Sequence, residues 1–375
     1  MTNRCKSPWT GVFIETDGSV KSCCAGGYYW GNLYKNTLEE IINSPQVIEI
    51  KQQIINDEPV DYCKNCRRDE TATGYSLRNY YEQFTASDEL LNSSTAFVPR
   101  NIDIRWNTLC NLNCVYCSED CSTEWQKRKG ITVESVQRAY YDHVLDYIDQ
   151  HSEQIEIILL AGGEPLMPKQ NKRLLESVAT DVPIDLITNL SVNFERCPVF
   201  DVLKTKTNVG WKASMETVGE RFEYVRHGAN WNRWLDNVKT VKQLPGHHVT
   251  LLSVYNIHSA TNLLELYTIA KELGVDIHWQ PLWGPEYQNV TNFSPAVRTR
   301  ALVEIDELLK QFDVSESNRT FFENMRNELL HSPVTDYCNQ KFLDQSAEFE
   351  NKYASDVQSF DTLWPELYRL IKYEL

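Results

Sequence analysis

The chain has 375 residues, 42% of them hydrophobic, enough to bury a sizeable core and to form two or three domains. No apolar run approaches the ~20 residues of a membrane span, and residues 1–10 lack the apolar stretch of a secretory signal, so the expectation is a soluble, cytoplasmic protein with no membrane partner, whose eleven cysteines stay reduced. The net charge of −15 opposes binding to nucleic-acid backbones and suits a basic peptide or an aminated small molecule.

In chain order, the first signal is Cys5, Gly18 and Cys23, a C-x12-G-x4-C pattern, followed by the C-x2-C of Cys63 and Cys66. Four thiolates without a histidine close a zinc site or an iron–sulfur site equally well by count. Cys24 is an alternative ligand to Cys23, because neighbouring cysteines do not easily face one cubane. Between the pairs, Thr37 to Glu40 reads as a capping box. Ser44-Pro45 reads as an N-cap with proline at the first helical position, ahead of a face of Val47, Ile50 and Ile54. The polar, aromatic stretch 71–94 is predicted to bridge this part to the next.

The central chain alternates strand-like runs at 101–106, 155–161, 183–189, 208–215, 248–255 and 275–281 with stretches of helical spacing. Val133, Val136, Tyr140 and Val144 mark one such helix face, and Leu263, Leu264, Tyr267 and Ala270 another. This alternation predicts parallel strands joined by right-handed crossovers, and six units are too few for a closed eightfold barrel. The first strand runs into Cys110, Cys114 and Cys117, a C-x3-C-x2-C pattern. Three closely spaced thiolates on a four-iron cubane leave one iron for a small-molecule ligand; a zinc site completed by Cys121 is the alternative. The second strand runs into Gly162-Gly163-Glu164-Pro165. Glycines there are expected to let the backbone approach a ligand and to leave N–H groups free to bind it, with Glu164 as an acceptor for an ammonium. In parallel barrels the chemistry sits at the carboxyl ends of the strands, where both motifs fall.

Beyond the sixth strand, Ser294-Pro295 opens a periodic helix with Val297, Ala301, Ile305, Leu308 and Leu309, and a second helical run covers 318–330. With Cys338 and Trp364-Pro365-Glu366-Leu367, this region reads as a helical cap that packs on the barrel.

The cysteine triplet and the GGE motif one strand–helix unit later resemble the radical S-adenosylmethionine (SAM) superfamily. The N-terminal cysteine pattern resembles the SPASM and twitch auxiliary-cluster domains; a single cluster makes twitch the better fit, although those domains usually follow the barrel. The resemblance implies an α/β fold: a radical SAM (β/α)6 partial barrel at 95–293, behind a small N-terminal twitch domain and connector at 1–94, with a helical C-terminal extension at 294–375. It implies a [4Fe-4S] cluster on Cys110, Cys114 and Cys117 that binds SAM, and one auxiliary [4Fe-4S] cluster for electron transfer on Cys5, Cys23, Cys63 and Cys66. An electron donor such as flavodoxin or ferredoxin is the implied partner. Carried over by position, Tyr116 lies near adenine, and Gly162, Gly163, Glu164 and Pro165 near the SAM amino group. Thr188, Asn189, Ser214 and Glu216 fall where the family places ribose and carboxylate contacts, Glu216 standing where aspartate is usual. Arg226 resembles the arginine that pairs with the SAM carboxylate, and Asn256 and Leu282 end the fifth and sixth strands. His258, Trp279, Trp283, Glu286 and Tyr287 are expected to shape the substrate pocket, with core packing the equal alternative for the tryptophans. The implied reaction is reductive cleavage of SAM to a 5′-deoxyadenosyl radical that takes a hydrogen atom from a peptide or protein side chain. Dehydrogenation of a small alcohol, an aminocyclitol or a sugar is the second outcome, and a non-catalytic zinc-binding protein the third.

Overall fold

The computed structural model describes residues 4–73, 76–131, 139–282, 284–333, 335 and 337–373. The expectations at Val133, Val136 and Trp283 lie outside these residues. One sheet of nine strands organises the chain: β1 (Gly11–Ile14), β2 (Ser19–Lys21), β3 (Gly31–Asn32), β4 (Asn101–Ile104), β5 (Ile157–Leu160), β6 (Ile184–Thr188), β7 (Val209–Ser214), β8 (His247–Tyr255) and β9 (Asp276–Pro281). Their order is β3-β2-β1-β4-β5-β6-β7-β8-β9, so the sheet has two edges and is not closed. The pairings from β4 to β9 are all parallel, with helices in the crossovers, as the alternating sequence pattern predicts.

Side-chain alternation separates the two faces of this sheet. Ile102, Ile104, Ile158, Leu160, Ile184, Leu186, Trp211, Leu251 and Ile277 are at most 5% exposed and pack under the helices, each removing roughly 1.5–3 kcal/mol worth of apolar surface from water. The opposite face carries Asp103, Arg105, Asp185, Lys212, His278 and Gln280, partly or fully exposed. A slip of one residue in any strand would exchange these sets, so the pattern fixes the register.

The N-terminal hairpin is not a separate lobe. β1 pairs in parallel with β4, Gly11 opposite Asn101 and Ile14 opposite Ile104, while β1–β2 and β2–β3 are antiparallel. The six expected strands are therefore extended by three. The expected capping box is present: Glu40 N donates to Thr37 Oγ1 at 3.2 Å and Thr37 N to Glu40 Oε2 at 3.0 Å, opening helix Leu38–Ile42. Helix Pro45–Ile55 starts after Ser44, whose hydroxyl makes no capping bond, and buries Val47, Ile50 and Ile54. After β9, helices Pro295–Gln311, Glu316–His331, Cys338–Tyr353 and Pro365–Tyr373 form the C-terminal cap. Among the described residues no helix is long and apolar enough to cross a membrane.

Candidate functional site

The loop after β4 carries Cys110 and Cys114, both buried, and the half-buried Cys117. Bonds from distant elements hold its backbone. Asn113 N donates to His227 O at 3.1 Å, Val115 N to Val225 O at 2.9 Å, Trp125 Nε1 to Cys114 O at 3.0 Å and Gln288 Nε2 to Val115 O at 2.9 Å. Thr123 Oγ1 accepts from Cys110 N at 3.1 Å. Three thiols are thus fixed before any ligand arrives, which lowers the ordering cost of binding one. Burial pushes the Cys114 thiol up to about 12, with the Arg226 guanidinium pulling against it. The neighbouring Cys121 thiol raises Cys117 and is itself lowered by it, while Cys117 Sγ lies 3.7 Å from Ser118 O.

The GGE turn lies directly under this loop. Gly162 has φ +115°, and a Cβ on Gly163 would stand 2.3 Å from Leu109 O, so only glycine admits the approach. The N–H groups expected to be free are not: Gly163 N donates to Asn107 O at 3.2 Å and Glu164 N to Leu109 O at 2.7 Å. The glycines serve to seat the cysteine loop on the sheet end. Glu164 is 1% exposed, and its carboxylate accepts from Leu166 N at 3.1 Å, Thr188 Oγ1 at 2.7 Å and Asn189 N at 2.7 Å. Burial pushes this carboxyl up to about 7 against the pull of those three donors. Glu164 therefore ties the end of β5 to that of β6 as well as facing the site.

Asn189 reaches back to the loop, with Nδ2 3.7 Å from Cys110 Sγ and 2.9 Å from Asn111 Oδ1. The turn that aims it includes Leu190 at φ +52°, a left-handed conformation a leucine adopts at a cost of about 1–2 kcal/mol. Asn237 Nδ2 holds that turn through Leu190 O and Val192 O, both at 2.9 Å. At the end of β7, Arg226 donates Nε and Nη2 to the two oxygens of Glu216, each at 2.7 Å, and lies 5.7 Å from the Tyr116 ring centre. Glu216, expected among the ribose and carboxylate contacts, is the internal partner of Arg226. Ser214 is buried beside it, and Pro165 accepts from Asn171 Nδ2 through its carbonyl at 2.7 Å. Asn256 caps the turn after β8 through Oδ1, which accepts from His258 N and Ser259 N, while its Nδ2 is buried without a partner. Leu282 is buried, with its carbonyl accepting from Asn289 Nδ2 at 3.3 Å.

The expected substrate-pocket residues divide. Trp279 belongs to the core: it is 4% exposed, packs on Phe321 and Phe322, and donates Nε1 to Tyr267 OH at 3.3 Å. It sits at an apolar position of β9, on the helix side of the sheet. Glu286 is exposed and bonded to Tyr337 OH. His258 and Tyr287 line a cavity of about 140 Å³ behind the cysteine loop, with Cys117, Trp125, Gln288 and Phe349. Burial pushes His258 down to about 3, and neither ring nitrogen has a partner.

At the other end of β1 and β4, the hairpin brings Cys5, ahead of β1, beside Cys23, after β2. Tyr62 fixes the second pair against the first. Its hydroxyl accepts from Ser22 N at 3.0 Å, and a Cβ on Gly26 would stand 2.3 Å from that oxygen. Cys5, Cys23, Cys63 and Cys66 all line one cavity of about 250 Å³, whereas Cys24 is exposed and does not. Burial, then the neighbouring thiols Cys23 and Cys66, push Cys63 up to about 12. Among the described residues no three His, Cys, Asp or Glu side chains converge on a single-ion position. The N-terminal thiol set surrounds space instead. Cys197 and Cys338 stand apart, each at the start of its own helix.

Residues 5–67 match the family model of SPASM, an iron–sulfur cluster-binding domain, and residues 104–275 match that of the radical SAM superfamily. The chain carries a radical SAM domain behind an N-terminal SPASM domain. These two domains imply a SAM-binding [4Fe-4S] cluster and an auxiliary iron–sulfur cluster. A 7-carboxy-7-deazaguanine synthase of Methanocaldococcus jannaschii is 25% identical over 171 residues, which are 44% of this chain and 66% of that protein. Streptococcus suis SuiB, solved with S-adenosylmethionine, aligns at 14% identity and TM-score 0.41 over 67% of this chain and 60% of its own. The protein anSMEcpe with bound AdoMet aligns at 16% identity and TM-score 0.40 over 58% and 63%. The chain spans less than two thirds of the length of each of these relatives.

Among the described residues, Asn256 Nδ2 and Thr217 Oγ1 are buried without a hydrogen-bond partner in the protein. Sequence reasoning missed Thr123, Trp125, His227 and Gln288, which brace the cysteine loop. Their signal is absent from any local motif, because they reach the loop from three separate places in the chain, Thr123 and Trp125 sharing one helix.

Proposed function

We propose that Cys110, Cys114 and Cys117 hold the [4Fe-4S] cluster that binds SAM, that Cys5, Cys23, Cys63 and Cys66 hold one auxiliary [4Fe-4S] cluster, and that the enzyme takes a hydrogen atom from a peptide or protein side chain. The observation that carries this reading is the seating of three fixed thiols over Gly162 and Gly163 at the carboxyl ends of parallel strands, with Asn189 against Cys110. When bound, the cluster supplies the electron that splits SAM to methionine and a 5′-deoxyadenosyl radical. The protein's own part is positioning. Glu164, Asn189 and the Glu216–Arg226 pair define the polar rim, Tyr116 covers Arg226, and the cap closes over the outer side of the loop. Exclusion of water from such a site suppresses side reactions of a radical.

The size of the N-terminal cavity favours a cluster over zinc. A zinc ion draws four sulfurs to about 2.3 Å from one point, and four thiols around about 250 Å³ leave far more room than that. The polar face of the sheet supports the substrate class. Arg105 Nη1 donates to Asp103 at 2.8 Å and Lys212 Nζ to Asp185 at 2.8 Å, and His278 and Gln280 are exposed toward the β9 edge. A broad, charged, open-edged surface suits a polar chain. The division of the chain at residues 94 and 293 belongs to the same proposal.

Anaerobic reconstitution tests it. The protein is expected to bind about eight irons and, with a reductant, to form 5′-deoxyadenosine. Joint replacement of Cys110, Cys114 and Cys117 by Ala is expected to halve the iron and abolish that product. Turnover in the triple variant, or zinc in place of iron, would refute the reading. Incubation with peptides and with aminocyclitols then separates the two substrate classes.

A further inference from the structure

The four-thiol cavity also carries fixed charge. Arg67, Glu70 and Arg78 line it together with the cysteines. Arg67 is held by Nη2 donating to Val60 O at 2.6 Å. Arg78 Nε donates to Glu70 Oε1 at 2.7 Å, and the same oxygen accepts from Ser76 Oγ at 2.6 Å. The Arg78 and Glu70 side chains are 22% and 9% exposed, so solvent screens the arrangement weakly. Both guanidiniums thus line the same cavity as the Cys63 and Cys66 thiols. Among the described residues that line the cavity, two are cations and one is an anion.

Reduction adds one negative charge to an iron–sulfur cluster, so fixed cations nearby favour the reduced state and fixed anions oppose it. We propose that Arg67 and Arg78 set the potential of the auxiliary cluster: their positioned charges stabilise its reduced form, and Glu70 trims that effect at Arg78. This rests on the reading that Cys5, Cys23, Cys63 and Cys66 hold a four-iron cluster. A purely structural role is distinguishable, because Arg78 and Glu70 also latch the helix Leu77–Tyr81 to the preceding helix. Breaking a latch from either side has the same effect. Removing a cation and removing an anion have opposite effects on a potential.

The test is a redox titration of the reconstituted full chain, followed by electron paramagnetic resonance, in a parent with Cys110, Cys114 and Cys117 replaced by Ala so that only the auxiliary signal remains. Arg78→Gln and Arg67→Gln are each expected to lower the ratio of reduced to oxidised cluster at a fixed potential by about tenfold, a downward shift of about 59 mV for a one-electron couple. Glu70→Gln is expected to raise it by a similar factor, and Arg78→Lys to keep the parent value. Potentials that do not move at matched iron content, or that move the same way in Arg78→Gln and Glu70→Gln, would overturn the assignment. Arg67→Gln leaves the Arg78–Glu70 pair intact and decides the matter if Arg78→Gln loads no iron. A parent that holds zinc or no iron here overturns the cluster reading itself, a separate result.

Discussion

Arg226 shows how a residue expected at a ligand can also carry a buried ion pair. Its position after Ser214 marks it as a partner for the SAM carboxylate, yet both of its forward donors already hold Glu216, which is fully buried. Removing one partner of a buried ion pair leaves the other charge without compensation, a loss of about 3–5 kcal/mol. Arg226→Ala is therefore expected to lower the thermal midpoint of the loaded protein markedly, and to weaken SAM binding at least tenfold when measured anaerobically at matched iron. An unchanged midpoint would show that the pair carries no such load. Glu164 was singled out in the sequence by the GGE motif. Its three internal donors were not, since Thr188 and Asn189 meet it only after β5 and β6 pair.

Helix Pro45–Ile55 was legible as an element, from Pro45 at its start to the spacing of Val47, Ile50 and Ile54. Hidden in that spacing is Lys51, whose side chain is fully buried, bonds Ala96 O at 2.9 Å and lies 5.3 Å from the Phe97 ring centre. Burial pushes its ammonium down to about 8 from 10.5. The folded chain thus binds fewer protons than the unfolded chain between those values, so stability rises with pH across that window and the full cost falls at lower pH. Lys51→Met is expected to stabilise the protein at pH 7 by about 2 kcal/mol, allowing for the lost bond to Ala96, and to flatten the rise between pH 8 and 10.5. Thermal melts of both proteins across that range check this; a less stable variant at pH 7 would show that the ammonium is well solvated where it lies.

For the whole molecule, the parallel pairing of β1 with β4 makes the N-terminal part a continuation of the barrel sheet. Removing residues 1–70 would strip the β4 edge and uncover the apolar side of Ile102 and Ile104, the condition under which sheets aggregate. The truncated chain is expected to be insoluble. Replacing Cys5, Cys23, Cys63 and Cys66 by Ala in the full chain is expected to leave it soluble with about four irons. Size-exclusion chromatography and iron assay compare them; a soluble, monomeric truncation would mean that the β4 edge does not need β1.

Local pattern determined a good deal by itself. Six parallel strands follow from alternating periodicities, and the two cysteine sets and the GGE turn follow from spacing, because ligand arrangements and tight turns are encoded within a few residues. Three strands of two to four residues at the N-terminus carried too little periodicity to announce a parallel partner ninety residues away. The tertiary structure decided which thiol of Cys23 and Cys24 faces the cavity, that Glu216 belongs to Arg226, that Trp279 belongs to the core, and that the N–H groups of Gly163 and Glu164 hold the cysteine loop. Each of these depends on which distant side chain or carbonyl arrives at a given point once the sheet has formed, and a contact between elements leaves no mark in the spacing of either one.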